Sequence, residues 1–163
     1  MNQSEKAECW SRERLTAWQL ERLRELVAAI IPANSFWSER FRDAGLNADS
    51  FQSLSDLQRL PLTSKQDLAA DQAVHGPYGR NLTFDKTAYS RLHQTSGTTT
   101  GLPLRWLDTP SSWNWMLDCW STIYRLMNLR PDDRLCFPFS FGPFLGFWAG
   151  FEGALRQGNF CLA

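Results

Sequence analysis

The sequence predicts an α/β protein: an N-terminal helical region, then the first part of a mixed or parallel sheet flanked by helices. Three observations predict it. In the first third, apolar residues recur at helical spacing between capping signals. From Gly76 onward, short β-type runs bracket a loop and lead into a strongly amphipathic helix. The last thirty residues read strand, helix, strand, the order of a parallel βαβ unit. The expected division is residues 1–75 and residues 76–163.

The elements follow in order. From Ser11 to Ile31, Leu20, Leu23, Leu26, Val27, Ile30 and Ile31 form a helix stripe, and Pro32 is expected to stop it. Ser35 to Ala44 reads as a short helix closed by Gly45. Ser53-Leu-Ser-Asp56 has the form of a helix start with an acidic third residue, ended by Pro61. Thr63-Ser-Lys-Gln66 and Ser64-Lys-Gln-Asp67 offer overlapping starts for a helix through Ala70. His75-Gly-Pro-Tyr-Gly79 is loop chemistry.

Thr87–Gln94 and Leu102–Leu107 read as strands pairing around the Ser/Thr/Gly loop Thr95–Gly101. Thr109 caps a helix opened by Pro110, with Trp113, Met116, Leu117, Trp120, Ile123, Tyr124 and Met127 on one stripe. Arg130-Pro-Asp-Asp-Arg134 is a turn, Leu135–Phe139 a buried strand, Phe144–Arg156 a helix, and Asn159–Ala163 the start of another strand. A central strand needs neighbours on both sides, so an ending at Ala163 reads as a truncated chain with exposed strand edges.

Composition excludes some functions. The chain has 163 residues, enough for one sizeable core, and 17 basic residues balance 17 acidic ones. That balance carries no field for nucleic acid. The N-terminus lacks the basic and apolar regions of a signal peptide. Cys9, Cys119, Cys136 and Cys161 are scattered, and neither His75 nor His93 stands at zinc spacing from them. Reduced thiols in a cytoplasmic protein are the expectation, with no metal site. The uncharged run Leu135–Phe151 contains Pro138, Pro143 and three glycines and is short for a membrane span. It reads as a buried strand, turn and helix; membrane association through it is the alternative.

The stretch His93-Gln-Thr-Ser-Gly-Thr-Thr-Thr-Gly-Leu-Pro103 carries the most chemistry. Gly97 and Gly101 let the backbone curl and approach a ligand. The hydroxyls of Ser96, Thr98, Thr99 and Thr100, with loop N–H groups, can surround polyphosphate oxygens. The loop lacks the Gly-Lys-Ser/Thr of a Walker A motif and the third glycine of a dinucleotide fingerprint. Its spacing alone fits a phosphate loop or a plain hairpin turn.

Gly142, Gly146 and Gly150 recur every four residues and Gly153 follows. On a helix they give a smooth face for packing against a sheet or for a flat ligand. Pro143 fits the first turn of that helix. Lys65 reads as a surface lysine or a polar ligand contact, and His93 as a structural histidine or a ligand contact.

Thr95-Ser-Gly-Thr-Thr-Thr-Gly-Leu-Pro103 resembles the phosphate loop of adenylate-forming (AMP-binding) enzymes. Four further segments resemble the phenylacetate–coenzyme A ligase branch: Leu60-Pro-Leu-Thr-Ser-Lys-Gln-Asp-Leu68, Pro77-Tyr-Gly79, Arg91-Leu-His93 and Phe139-Ser-Phe-Gly-Pro-Phe-Leu-Gly146. Their order and spacing match over nearly the whole chain.

The resemblance implies an incomplete N-terminal domain of an AMP-forming acid–thiol ligase. Such an enzyme activates a carboxylic acid with ATP and Mg2+ to an acyl-adenylate, then transfers the acyl group to coenzyme A. It implies that Ser96, Gly97, Thr98, Thr99, Thr100 and Gly101 hold the ATP phosphates, and that Phe141, Gly142, Phe144 and Gly146 border the acyl pocket. Two departures stand out: an extra threonine in the loop, and Leu102 where many members carry lysine. The family's later motifs do not occur, so the chain alone is expected to be inactive. It would be completed by a missing C-terminal half or sit in a homodimer; a non-catalytic remnant, or a subunit completed by another polypeptide, is the alternative.

Overall fold

The computed structural model describes residues 7, 9–97, 101 and 103–163. The chain divides into two compact units, Met1–Lys86 and Thr87–Ala163.

The first unit is helical. Helix α1 (Arg12–Ala33) starts where the Ser11 side chain accepts a hydrogen bond from the Arg14 N–H. Pro32 falls inside the last turn, where it forfeits one i→i−4 bond, and the helix ends one residue beyond it, at Ala33. Asn34 caps two helices. Its N–H donates to the Ile30 carbonyl, and its side chain accepts from the Trp37 N–H at the head of α2 (Ser35–Asp43). Its Nδ2 donates to Asn81 and Thr83 at 3.0 and 3.1 Å, satisfying a residue only 2% exposed. Gly45 closes α2 at φ +66°, with the Leu46 N–H reaching back to Phe41.

The Ser53–Asp56 signal opens a 3₁₀ helix, Leu54–Arg59. Ser64 and Asp67 exchange reciprocal capping bonds at the start of α3 (Lys65–Val74), four residues longer than expected. The core is Val27, Phe41, Leu46 and Phe51, backed by Leu23, Ile30 and Trp37.

In the second unit, β1 (Arg91–Gln94) and β2 (Arg105–Asp108) form an antiparallel hairpin, with Arg91 opposite Asp108 and Gln94 opposite Arg105. Both strands are shorter than expected, and Lys86–Ala88 is a 3₁₀ turn. Thr109 caps α4 (Pro110–Leu126), accepting from the Ser112 N–H. Of the predicted stripe, Trp113, Leu117 and Tyr124 are buried, while Ile123 and Met127 are exposed.

Strands β3 (Arg134–Cys136) and β4 (Phe160–Leu162) pair in parallel, with α5 (Leu145–Arg156) as the crossover. The class is mixed α/β, mostly helical with two small sheets. The expected buried strand Leu135–Phe139 is corrected. Only Arg134–Cys136 pairs, Leu135 is half-buried, and Phe139 is exposed. Phe160 and Leu162 are 64% and 58% exposed, since no further strand among the described residues covers them.

The glycine face is also corrected. Gly142 (φ +47°) and Pro143 lie before α5, leaving Gly146, Gly150 and Gly153 on it. The last two pack against helix α4, through Trp120 and Tyr124, rather than against a sheet. Tyr124 donates from its hydroxyl to the Gly150 carbonyl at 2.7 Å. Among the described residues no helix is long and apolar enough to cross a membrane.

Candidate phosphate loop and adjoining cavity

The hairpin presents the Ser/Thr/Gly loop. At its base the Thr95 N–H donates to the Leu104 carbonyl at 3.0 Å, and the Leu104 N–H donates to Thr95 Oγ1 at 2.9 Å. These bonds close the mouth of the loop and fix where it leaves the sheet. Within it, Gly97 is buried at φ +71° and Gly101 is exposed at φ +73°. Both conformations favour glycine strongly. The Gly101 N–H donates to the Gly97 carbonyl at 2.8 Å. Ser96 is exposed. Thr98, Thr99, Thr100 and Leu102 lie outside the described residues.

The residues expected at an acyl pocket fall on the turn leading into α5. Phe141 and Phe144 are half-buried, Gly142 and Gly146 exposed. Phe141 packs with Trp148 at 4.9 Å between ring centroids and with Phe151 at 5.3 Å. Phe144 meets Phe147 edge-on at 5.9 Å. The Trp148 indole donates to the Gly142 carbonyl at 2.8 Å, fixing the turn. A Cβ built on Gly146 meets nothing within 4 Å. Loop and turn are tied together, since the Gln94 N–H donates to the Pro143 carbonyl at 2.8 Å.

Behind the loop stands a network that sequence reading missed. Arg91 and Glu152 form a bidentate ion pair, both contacts at 2.8 Å. The Trp113 indole donates to the same carboxylate at 2.8 Å, and the Arg91 guanidinium lies 4.2 Å from the Trp113 ring centroid. The signal was available. Glu152 is the one charged residue between Leu135 and Leu155, and Arg91 and His93 share a strand face.

His93 completes this layer. It is 4% exposed and stacks on Trp113 at 5.0 Å. Burial pushes its pKa below the usual histidine range, and Arg91 adds to this; Asp108, Glu152 and the Pro143 carbonyl oppose it. Its Nε2 stands 3.7 Å from Asp108 Oδ2, too long for a hydrogen bond. Among the described residues, neither ring nitrogen nor that carboxylate oxygen has a hydrogen-bond partner of good geometry, the Pro143 carbonyl near the imidazole included. An unpaired buried polar group costs about 1–3 kcal/mol. An open cavity of about 330 Å3 adjoins the imidazole, with Gln94 and Thr95 beside it and Leu104, Trp106, Met116 and Leu145 as its apolar wall.

Lys65 is the first residue of α3 and half-buried. The Pro77–Gly79 loop is held by buried Asp71, which accepts from the Arg80 N–H at 2.6 Å and from Arg80 Nε at 2.7 Å. Burial raises the thiol pKa of Cys119 and Cys161, which disfavours thiolate chemistry there. No metal-binding group of three His, Cys, Asp or Glu occurs among the described residues.

No protein-family model matches the chain. The phenylacetate-coenzyme A ligase of Escherichia coli K12 is 30% identical over 155 residues, or 90% of this chain and 32% of that protein. The phenylacetate-coenzyme A ligase of Thermus thermophilus is 38% identical over 88 residues, or 54% of this chain and 19% of that protein. The chain therefore spans a fifth to a third of the length of these curated relatives. A crystal structure of 2-hydroxyisobutyryl-CoA ligase, in complex with 2-HIB-AMP and CoA, matches with a TM-score of 0.90 at 26% identity. That match covers 98% of this chain and 33% of the ligase.

Proposed function

We propose, from the premise that this chain belongs to the adenylate-forming coenzyme A ligases and matches the N-terminal part of their structure, that it supplies the phosphate grip of an AMP-forming acid–thiol ligase. In this reading a carboxylate attacks the α-phosphorus of ATP. The bond to the bridging oxygen breaks and pyrophosphate leaves. The thiol of coenzyme A then displaces AMP from the acyl-adenylate to give the thioester.

The observation that carries the reading is the glycine-hinged loop at the mouth of the β1–β2 hairpin. Gly97 and Gly101 are both left-handed, a 2.8 Å hydrogen bond joins them, and a hydrogen-bonded base holds the strands that lead into the loop. Ser96, Gly97, Thr98, Thr99, Thr100 and Gly101 would surround the β- and γ-phosphates. Donors fixed in advance suit a leaving group on which negative charge accumulates. Mg2+ would arrive with the nucleotide and be held by its phosphates. Phe141, Gly142, Phe144 and Gly146 would border the acid. Residues 1–75 form the helical region ahead of an AMP-binding domain that begins at residue 76.

A second reading, a subunit completed by another polypeptide, is favoured by the exposed Phe160 and Leu162 on β4. Free cysteines throughout the described residues fit a reducing cytoplasm.

The test has two parts. In the 163-residue chain, pyrophosphate should shift the Ser96 and Gly97 amide resonances saturably. In a polypeptide carrying the remaining two-thirds of the fold, Gly97→Val should abolish acid-dependent ATP–pyrophosphate exchange, because valine does not adopt φ +71° without strain. Exchange at the unsubstituted rate refutes the loop's role.

A further inference from the structure

A two-stranded hairpin is marginal on its own, so the place of the phosphate loop depends on what ties β1 to the rest of its unit. Three ties stand out among the described residues. The Gln94 N–H donates to the Pro143 carbonyl at 2.8 Å, His93 stacks on Trp113 at 5.0 Å, and Arg91 pairs with Glu152. The first is one bond, and a ring stack leaves sliding open. The third fixes distance and orientation together, because two N–H···O bonds of 2.8 Å hold a planar fork against a planar carboxylate.

Glu152 is where three elements meet. It belongs to α5, accepts from Arg91 of β1 on both oxygens, and accepts from the Trp113 indole of α4 on Oε2. Stability alone is a weak reason for this arrangement. Solvent screening limits what ionic groups 34% and 23% exposed contribute, and an apolar side chain on α5 would avoid the desolvation cost. What the pair supplies is direction. From Arg91, β1 runs about 13 Å to Thr95, where the loop begins.

We propose that Glu152 is a positioning residue: through Arg91 it sets the direction in which β1 delivers the phosphate loop, so that the loop's donors are aimed before a polyphosphate arrives. The inference rests on the ligase reading and adds to it a residue that touches no substrate. Donors fixed in advance bind more tightly because less ordering is left to the binding step. A role through charge alone has the opposite sign. Removing a carboxylate near an anion site strengthens anion binding, since like charges repel. Removing the clamp on Arg91 weakens it.

Pyrophosphate titration of the 163-residue chain and its variants tests this, read by calorimetry and by the Ser96 and Gly97 amide resonances. Glu152→Gln keeps the side chain's shape and should weaken pyrophosphate binding about tenfold. Arg91→Lys keeps the charge but loses the fork, and should weaken it about threefold. The double variant should be no worse than Glu152→Gln, because both residues act through one contact. Tyr124→Phe is the control. It removes a single 2.7 Å bond between α4 and α5, touches nothing on β1, and should leave the affinity unchanged. The Gly97 amide of the unliganded chain should move in Glu152→Gln and Arg91→Lys and stay in place in Tyr124→Phe. Where Glu152→Gln fails to fold, Arg91→Lys and the control decide the matter.

Tighter or unchanged pyrophosphate binding in Glu152→Gln would overturn the proposal. An equal loss in Tyr124→Phe would do the same, by making the pair one packing contact among others. So would losses in the two single variants that add in the double variant, since that is the behaviour of independent residues. The titration also separates this inference from the ligase reading. No saturable pyrophosphate binding by the unsubstituted chain sinks both; binding that all the variants leave alone sinks only the role given to Glu152.

Discussion

The two units bury different things. In the first, Phe51 and Val27 are 0% and 1% exposed and the buried Asn34 and Asp71 have hydrogen bonds, although Arg40 Nε and Thr63 Oγ1 are buried without a partner among the described residues. In the second, the apolar core is Trp113, Leu117 and Ala149, a stacked His93 is buried beside it, and large aromatics stand at the surface. Closed aliphatic and aromatic packing is what a scaffold requires. Both units carry unpaired buried polar atoms and glycines at positive φ, so the difference between them lies in how their apolar cores are built.

The largest expected effect lies in the scaffold. Phe51→Ala removes a fully buried ring from a core with no polar relief and should cost about 3–5 kcal/mol by urea denaturation. A loss near 1 kcal/mol would mean that this core is looser than its burial implies.

A sharper comparison runs along one helix of the second unit. A Cβ added at Gly153 comes within 2.8 Å of the Trp120 Cβ, so Gly153→Ala must push α5 off α4 and should cost about 1–3 kcal/mol. Gly146 has open space, so Gly146→Leu should leave stability within about 0.5 kcal/mol. Any loss of acid binding in Gly146→Leu then reports on the ligand and not on folding. Equal destabilisation at the two positions would erase the distinction.

Next comes the network behind the loop. Glu152→Gln keeps the shape but breaks the bidentate pair with Arg91 and weakens the Trp113 bond. Both ionic side chains are partly exposed, at 34% and 23%, so solvent screening limits the cost to about 1–2 kcal/mol. Thermal denaturation measures it, and an unchanged Tm would make the network ornamental to stability.

Local chemistry was legible in the sequence. Ser64–Asp67, Thr109–Pro110 and Gly45 act as read, because caps depend on residues three or four apart. The hairpin and the parallel βαβ unit were legible for the same reason, since periodicity switches within a short window. What escaped depends on partners distant in the chain. Asn34 meets Asn81 and Thr83, Arg91 meets Glu152, and Gly153 meets Trp120. A four-residue glycine spacing also could not reveal that Gly142 sits outside the helix, because a positive φ is a property of the turn and not of the repeat. The loop's glycines were legible as residues, but their left-handed angles and the bond between them were not.

The smallest effect is the pH dependence of the unpaired histidine. Burial lowers the folded-state pKa of His93 below its ordinary 6.5, so the unfolded chain binds a proton that the folded one refuses. Stability therefore falls as pH drops through about 6.5, and the loss ends only below the depressed folded value. The capping carboxylates Asp56 and Asp67 act in a separate window. Their pKa values are lowered from 3.8, chiefly by hydrogen bonds from the Ser53 and Ser64 backbones, so their contribution is lost only at lower pH. Urea denaturation from pH 7.5 to 5.5 should show a decline that His93→Phe flattens. A decline of the same slope in His93→Phe would mean that other groups carry the proton uptake, and that the imidazole finds in solution the partner it lacks beside Asp108.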